Sequence, residues 1–386
     1  MIYEIKKIRS SMLAWANAYG ILADTGLDAT AIGEGDPDII PFTDEHAEYF
    51  RTRKIVRVSS ELRGGRNNSL RVFARLKIAK AKAAELERLF NERFADSKVT
   101  LEVGVSRPFK VENRLQHFGK LQPIHRDAGE RICCGSSVGL GNQRIAGTLA
   151  ALARDTRDGR LFGVSCNHVI GGCSTARPGT PIVVPGIQDV SADHPEVNVV
   201  GLHHRAAEMS QGLPSVSNIQ DNSDLACFEL GAPAELSTMQ GSGDHAFDTP
   251  VTFAQPKIDL AVKKWGRSTG LTSGNITAIL RDGGGIGYDV TSYFGPSNSQ
   301  VFKGTVYYDR IYQVTNNRSA FSSGGDSGSL VVTHEARPRV VGILIAGSSK
   351  ESYILPLKEV LKKLNLELLN SERLANVLRV APKTVV

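Results

Sequence analysis

The sequence predicts a mainly β protein: two antiparallel barrels that follow a small N-terminal α+β module, with a helix near the C-terminus closing the second barrel. Three observations carry this. From residue 131 onward the apolar segments are short and separated by clusters of Gly, Pro, Asn and Asp, the punctuation of antiparallel strands. Before that point Leu70, Val72, Ala74, Leu76 and Ile78 alternate with Arg71, Phe73, Arg75 and Lys77, the period of a half-buried strand. Directly afterwards Ala83, Leu86, Leu89, Phe90 and Phe94 recur at helical spacing.

Taken in order, residues 1–130 make the module and its linker. They open with a helix over 5–19 and a loop rich in Gly, Asp and Pro over 33–41. The strand at 70–78, the helix at 79–94 and a second alternating strand at 99–105 follow, and 113–131 is a polar linker. The first barrel occupies 131–247. The second occupies 248–370 and ends in a helix over 355–369, where Leu355, Val360, Leu361, Leu364 and Leu366 stand among lysines. Residues 371–386 form a tail. A length of 386 residues fits two or three such units.

Composition excludes several classes. Apolar residues at 41% and charged residues at 22% describe a globular chain with material for a sizeable core. The longest apolar runs are about eight residues, far short of the ~20 that span a bilayer, so no membrane partner is expected. The first residues, Met1 to Arg9, lack the basic-then-apolar-then-small order of a secretory signal. Five cysteines, an odd number, fit a reducing compartment, and a cytoplasmic location is expected. Cys166 and Cys227 sit inside apolar strand patterns, and no cysteine or histidine spacing reads as a metal site, so neither metal nor cofactor is called for.

Charge is uneven. Residues 51–82 hold 11 Lys or Arg against the single acid Glu61. Such a face suits a phosphate or an acidic partner, but a strand alternating apolar with basic also describes a solvated edge, which is the favoured interpretation. Phe73 is the one interleaved aromatic, thin support for base stacking. Nucleic acid is therefore disfavoured as a partner, though left open.

The chemistry concentrates in three segments. Ser323 to Val332 reads S-G-G-D-S-G-S-L-V-V, placing Ser327 in a tight glycine turn that runs into an apolar strand. Glycines permit backbone angles closed to other residues and leave N–H groups free to converge on an oxyanion. Serine is a weak nucleophile, so a base and an orienting carboxylate are needed. His168 ends the apolar run L-F-G-V-S-C-N-H, and Asp224 stands before the apolar strand L-A-C-F-E-L. The chain order is His, Asp, Ser, with successive members 56 and 103 positions apart.

These blocks resemble the trypsin-like serine peptidases, and the G-D-S-G-S-L-V-V and S-x-N-H-V forms are most similar to the narrow-leaf-type branch of plants and bacteria. Supporting segments agree: 146–150 is similar to the strand opening the first barrel, 155–160 to its first hairpin turn, 264–274 to the glycine-rich hairpin opening the second barrel, and 341–347 to the strand lining the substrate cleft. The resemblance covers residues 131–367. It implies a chymotrypsin-like double barrel and peptide hydrolysis, with His168 as general base, Asp224 as its orienter, Ser327 as nucleophile, and the N–H groups of Gly325 and Ser327 as oxyanion hole.

It further implies that Phe321 lies at the base of the primary specificity pocket, with Ile345, Ala346 and Gly347 along its wall, and so a preference for small or aliphatic residues. Two departures stand out. Secreted relatives activate by delivering a new N-terminus to the aspartate beside the nucleophile, so Asp326 must find another partner here. The disulfides of those relatives are also missing, which points to control by the N-terminal module or by self-association. The expected partner is a peptide or protein substrate, with a homo-oligomer open. The alternatives are a catalytically silent peptide-binding barrel and a protease localised by its basic face to nucleic acid or an acidic partner.

Overall fold

The barrels form because the short apolar strands alternate and are joined by tight turns, so neighbours in sequence pair antiparallel. The computed structural model describes residues 2–22, 35–61, 68–105, 109–110, 123–192, 195–212, 218–316, 319–347 and 351–380. Among these the chain is mainly β, with two large, predominantly antiparallel sheets and few helices.

The first sheet has eight strands, in the spatial order Leu366–Leu368, Ala151–Asp155, Leu161–Ser165, Ala226–Leu230, Asn198–Ala206, Pro181–Val184, Ser137–Leu140 and Gly147–Thr148. In the second, Ala261–Gly266, Leu330–Thr333, Val340–Gly347, Ser352–Pro356, Asn298–Thr315 and Gly270–Gly295 follow one another, and the last also pairs with the first. That extra pairing closes a barrel. One continuous core spans both sheets, from Leu152, Phe162 and Phe228 to Leu330, Ile343 and Tyr308.

The N-terminal module keeps its own core. Ile5, Ile8, Met12 and Leu13 line one face of the helix Ile2–Ala18 and pack with Phe50, Leu70, Leu86 and Phe90. The strands Asn68–Ala74 and Val99–Val105 pair in parallel, which requires the crossover that the helix Lys80–Arg93 supplies. The helix Asp44–Arg53 escaped the sequence-based expectation, and Asn68–Ala74 is preceded by the strand Ile55–Glu61. Through that strand the module joins the second sheet, at Glu61 opposite Leu280.

The C-terminal region also differs from expectation. Residues 355–369 are not one helix. The strand Ser352–Pro356 completes the second barrel, a short helix Lys358–Lys363 follows, and Leu366–Leu368 crosses to the first sheet beside Ala151–Asp155. The closing helix is Ser371–Val380, inside the segment expected to be a tail. Residues 381–386, most of the linker at 113–131, and the side chains of Arg57, Arg63 and Arg66 on the basic face lie outside the described residues. Other members of that face are engaged internally: Arg71 bonds Glu102 at 2.7 Å, and Lys82 lies 3.0 Å from Glu85. No helix among the described residues is long and apolar enough to cross a membrane.

Candidate active site

His168 owes its position to the end of a strand. Leu161–Ser165 stops at Cys166, and a single helical turn, Asn167–Ile170, carries the imidazole inward. The Asn167 side chain fixes that turn by donating to Ser174 Oγ at 2.8 Å and to the Ala207 carbonyl at 3.1 Å. The neighbouring strand Ala226–Leu230 pairs with Ala226 opposite Ser165, which brings Asp224 alongside His168.

The Asp224 carboxylate accepts the His168 backbone N–H at 2.9 Å through Oδ1 and meets His168 Nδ1 at 2.6 Å through Oδ2. Both side chains are almost wholly buried. A carboxylate only accepts, so Nδ1 carries the proton and Nε2 is the basic nitrogen. Nε2 is buried and meets no partner among the described residues. Oδ2 also accepts the Tyr288 hydroxyl at 3.0 Å, and Tyr288 in turn meets the Tyr308 hydroxyl at 2.6 Å. Burial, and next the Asp224 charge, push both phenols well above the ordinary range, so both stay protonated. Neither tyrosine was flagged by sequence, because each reads as an ordinary inward residue of an alternating strand.

The Cys166 thiol, His168 and Asp224 offer ligand atoms within 4.8 Å of one another. The direct imidazole–carboxylate hydrogen bond already uses two of them. The third is a thiol that burial holds well above its ordinary pKa and that donates to the Leu344 carbonyl.

Ser327 sits on the second barrel, in a turn with Gly325 at φ 95° and Gly328 at φ 94°. Asp326 builds that turn from inside. Its carboxylate accepts the N–H groups of Ser323 and Ser268 at 3.0 and 2.8 Å, the Thr269 hydroxyl at 2.6 Å and the Lys264 ammonium at 3.1 Å. Lys264 is the charged partner that Asp326 finds within the chain. Thr148, from the first sheet, clasps the outside of the turn: its N–H donates to the Ser327 carbonyl at 2.8 Å and its hydroxyl to the Gly325 carbonyl at 2.9 Å. Among the described residues, neither the Gly325 nor the Ser327 N–H donates to another backbone group. The two halves of the site meet at Gly147, where an added Cβ would strike both the Val169 side chain and the Ser327 carbonyl. The Arg267–Asp189 ion pair ties the sheets together alongside.

A cavity of about 10 Å³ opens beside Ser327, lined by Ser322, Ser323, Gly324, Leu344, Ala346 and Gly347. Of the residues expected at the pocket, Ala346 and Gly347 line this cavity. Phe321 and Ile345 do not. Phe321 is buried among Val262, Ile276, Val314 and Val331, inside the barrel. Ile345 is wholly buried in the shared core and is not among the residues lining the cavity. A larger cavity, about 520 Å³, lies away from Ser327 between Ser174–Pro178 and His203–Ser210 and holds none of the expected residues.

No family model matches the chain, and no curated protein does. Solved structures are similar to it. A glutamic-acid-specific serine protease is 19% identical, with 61% of this chain and 100% of that one covered at a TM-score of 0.37. Thermobifida fusca protease A is 14% identical, with 62% and 98% covered at 0.38, and Cellulomonas bogoriensis chymotrypsin 17%, with 64% and 100% covered at 0.37.

Proposed function

We propose that this chain is a serine endopeptidase of the chymotrypsin type, nearest by its two motif forms to the narrow-leaf-type branch. One observation carries this: a buried His168–Asp224 pair, closed at 2.6 Å on the Nδ1 side with Nε2 meeting no partner among the described residues, in a chain whose Thr148 also holds the Ser327 turn. His168 Nε2 takes the Ser327 hydroxyl proton as Oγ attacks a peptide carbonyl, then returns it to the leaving amine. Asp224 keeps the imidazole in that tautomer and stabilises its protonated form. The Gly325 and Ser327 N–H groups receive the oxyanion, worth on the order of 3 kcal/mol each. Water then opens the acyl-enzyme.

The uncharged lining beside Ser327, with Leu344, Ala346 and Gly347 and no acid, supports a preference for small or aliphatic residues before the scissile bond. His168 Nε2 is buried and meets no partner among the described residues, and its hydrogen bond to the Ser327 hydroxyl is of the kind that tightens when substrate binds. Regulation by the N-terminal module is supported by its pairing with the second sheet at Glu61 and again where Phe109–Lys110 meets Ile286–Gly287. Five unpaired, buried cysteines support a reducing, cytoplasmic setting. The test is hydrolysis of a peptide library by the wild type and by Ser327→Ala; equal turnover by both would overturn the assignment.

A further inference from the structure

We infer that Tyr288 is a positioning residue for the proposed triad, fixing Asp224 through a hydroxyl relay that starts at Tyr308. This rests on the hydrolase assignment for its catalytic consequence, but on geometry alone for its existence. The two hydroxyls lie 2.6 Å apart, and Tyr288 donates its one proton to Asp224 Oδ2 at 3.0 Å. A phenol has a single O–H, so the proton between the tyrosines belongs to Tyr308. The direction is therefore fixed: Tyr308 donates to Tyr288, and Tyr288 donates to Asp224.

Burial makes the relay strict. Tyr288 is 3% and Tyr308 0% exposed, and a buried hydroxyl without a partner is costly. Ile286, Tyr288 and Val290 alternate inward on one strand, Val306 and Tyr308 on the other, so the hairpin Gly270–Gly295/Asn298–Thr315 delivers both phenols to the same core. The Tyr288 ring also packs at 5.4 Å from the His168 ring. Of the three donors on the Asp224 carboxylate, two belong to His168. Tyr288 is the one that holds the carboxylate from outside the pair, so that it neither rotates nor follows the imidazole during proton transfer. The same strand pairs with Phe109–Lys110 at the two residues before Tyr288, so the support for Asp224 is built onto the N-terminal portion of the chain.

The experiment compares full-length wild type, Tyr288→Phe, Tyr308→Phe and the double variant, which replaces both hydroxyls by apolar groups of the same shape and guards against misfolding from an orphaned Tyr308 hydroxyl. Two readouts are taken: kcat and KM on a peptide substrate, and the low-field proton resonance of His168 Nδ1–H. Loss of a hydrogen bond to a charged group predicts that Tyr288→Phe and the double variant lower kcat on the order of 10- to 100-fold with KM unchanged. Tyr308→Phe, which removes the donor to Tyr288 but keeps the hydroxyl on Asp224, lowers kcat less than Tyr288→Phe does, and the resonance moves most where Tyr288 is replaced. Equal losses in the two single variants, or an unmoved resonance in Tyr288→Phe, would overturn the inference. A wild type that cleaves nothing would remove the hydrolase assignment, and the resonance, which needs no turnover, would then decide the role of Tyr288 by itself.

Discussion

The Lys264 ammonium lies 3.1 Å from the Asp326 carboxylate, and neither side chain has any exposure to solvent. Burial lowers the lysine pKa and the Asp326 charge opposes that shift, so the ammonium depends on its partner. Removing one partner of a buried pair leaves an uncompensated charge, at about 3–5 kcal/mol. Lys264→Met should therefore lower the unfolding free energy by that amount and loosen the turn carrying Ser327. Denaturant unfolding checks it; a midpoint equal to wild type would show that the pair is not what builds the turn.

Gly325 predicts a sharper loss of function than of fold. Its φ of 95° is open to glycine, and an added Cβ would fall on the Arg267 guanidinium. Gly325→Ala must twist its N–H away from the proposed oxyanion. Loss of one such donor costs about 10²- to 10³-fold in kcat, and steady-state kinetics on a folded variant will show it.

The cavity wall predicts specificity. Gly347 faces Ser322 Oγ so closely that a Cβ would collide with it, and Ser322 is held at 2.7 Å by Ser352. A library profile should favour Ala, Val or similar residues before the cleaved bond. A profile led by Arg or Lys would contradict the pocket.

His203 predicts a pH dependence of stability. It is buried, and burial pushes its pKa down to about 4. The unfolded chain binds this proton near pH 6.5 and the folded chain does not until about pH 4, so stability falls as pH drops through that window. The span is worth about 3 kcal/mol. His203→Gln should flatten the curve of unfolding free energy against pH between 4 and 6.5, and a slope unchanged from wild type would exclude His203 as its source.

What the sequence disclosed follows what is local. The alternation at 70–78 and the helical spacing at 79–94 were legible because each is set by its own side chains, and both elements form, the strand as Asn68–Ala74. The S-G-G-D-S-G-S turn was legible because glycine marks backbone geometry directly. The long hairpin was not: Gly283, Gly284 and Gly285 look like a turn, yet the strand runs through them with a register shift between Arg281 and Gly284. Tyr288 was invisible for the same reason, since its partner Asp224 is 64 residues away and only the fold brings them together. Phe321 was misplaced because spacing from Ser327 gives its position along the chain but not which face of the turn it takes.

The measurement that bears most directly on the central claim is labelling of the purified full-length protein with a fluorophosphonate serine probe, with the adduct located by peptide mass mapping. An activated nucleophile predicts one adduct, on Ser327, that disappears in Ser327→Ala and falls by several orders of magnitude in His168→Ala. An adduct on another serine, or labelling of Ser327 that is indifferent to His168, would contradict the triad.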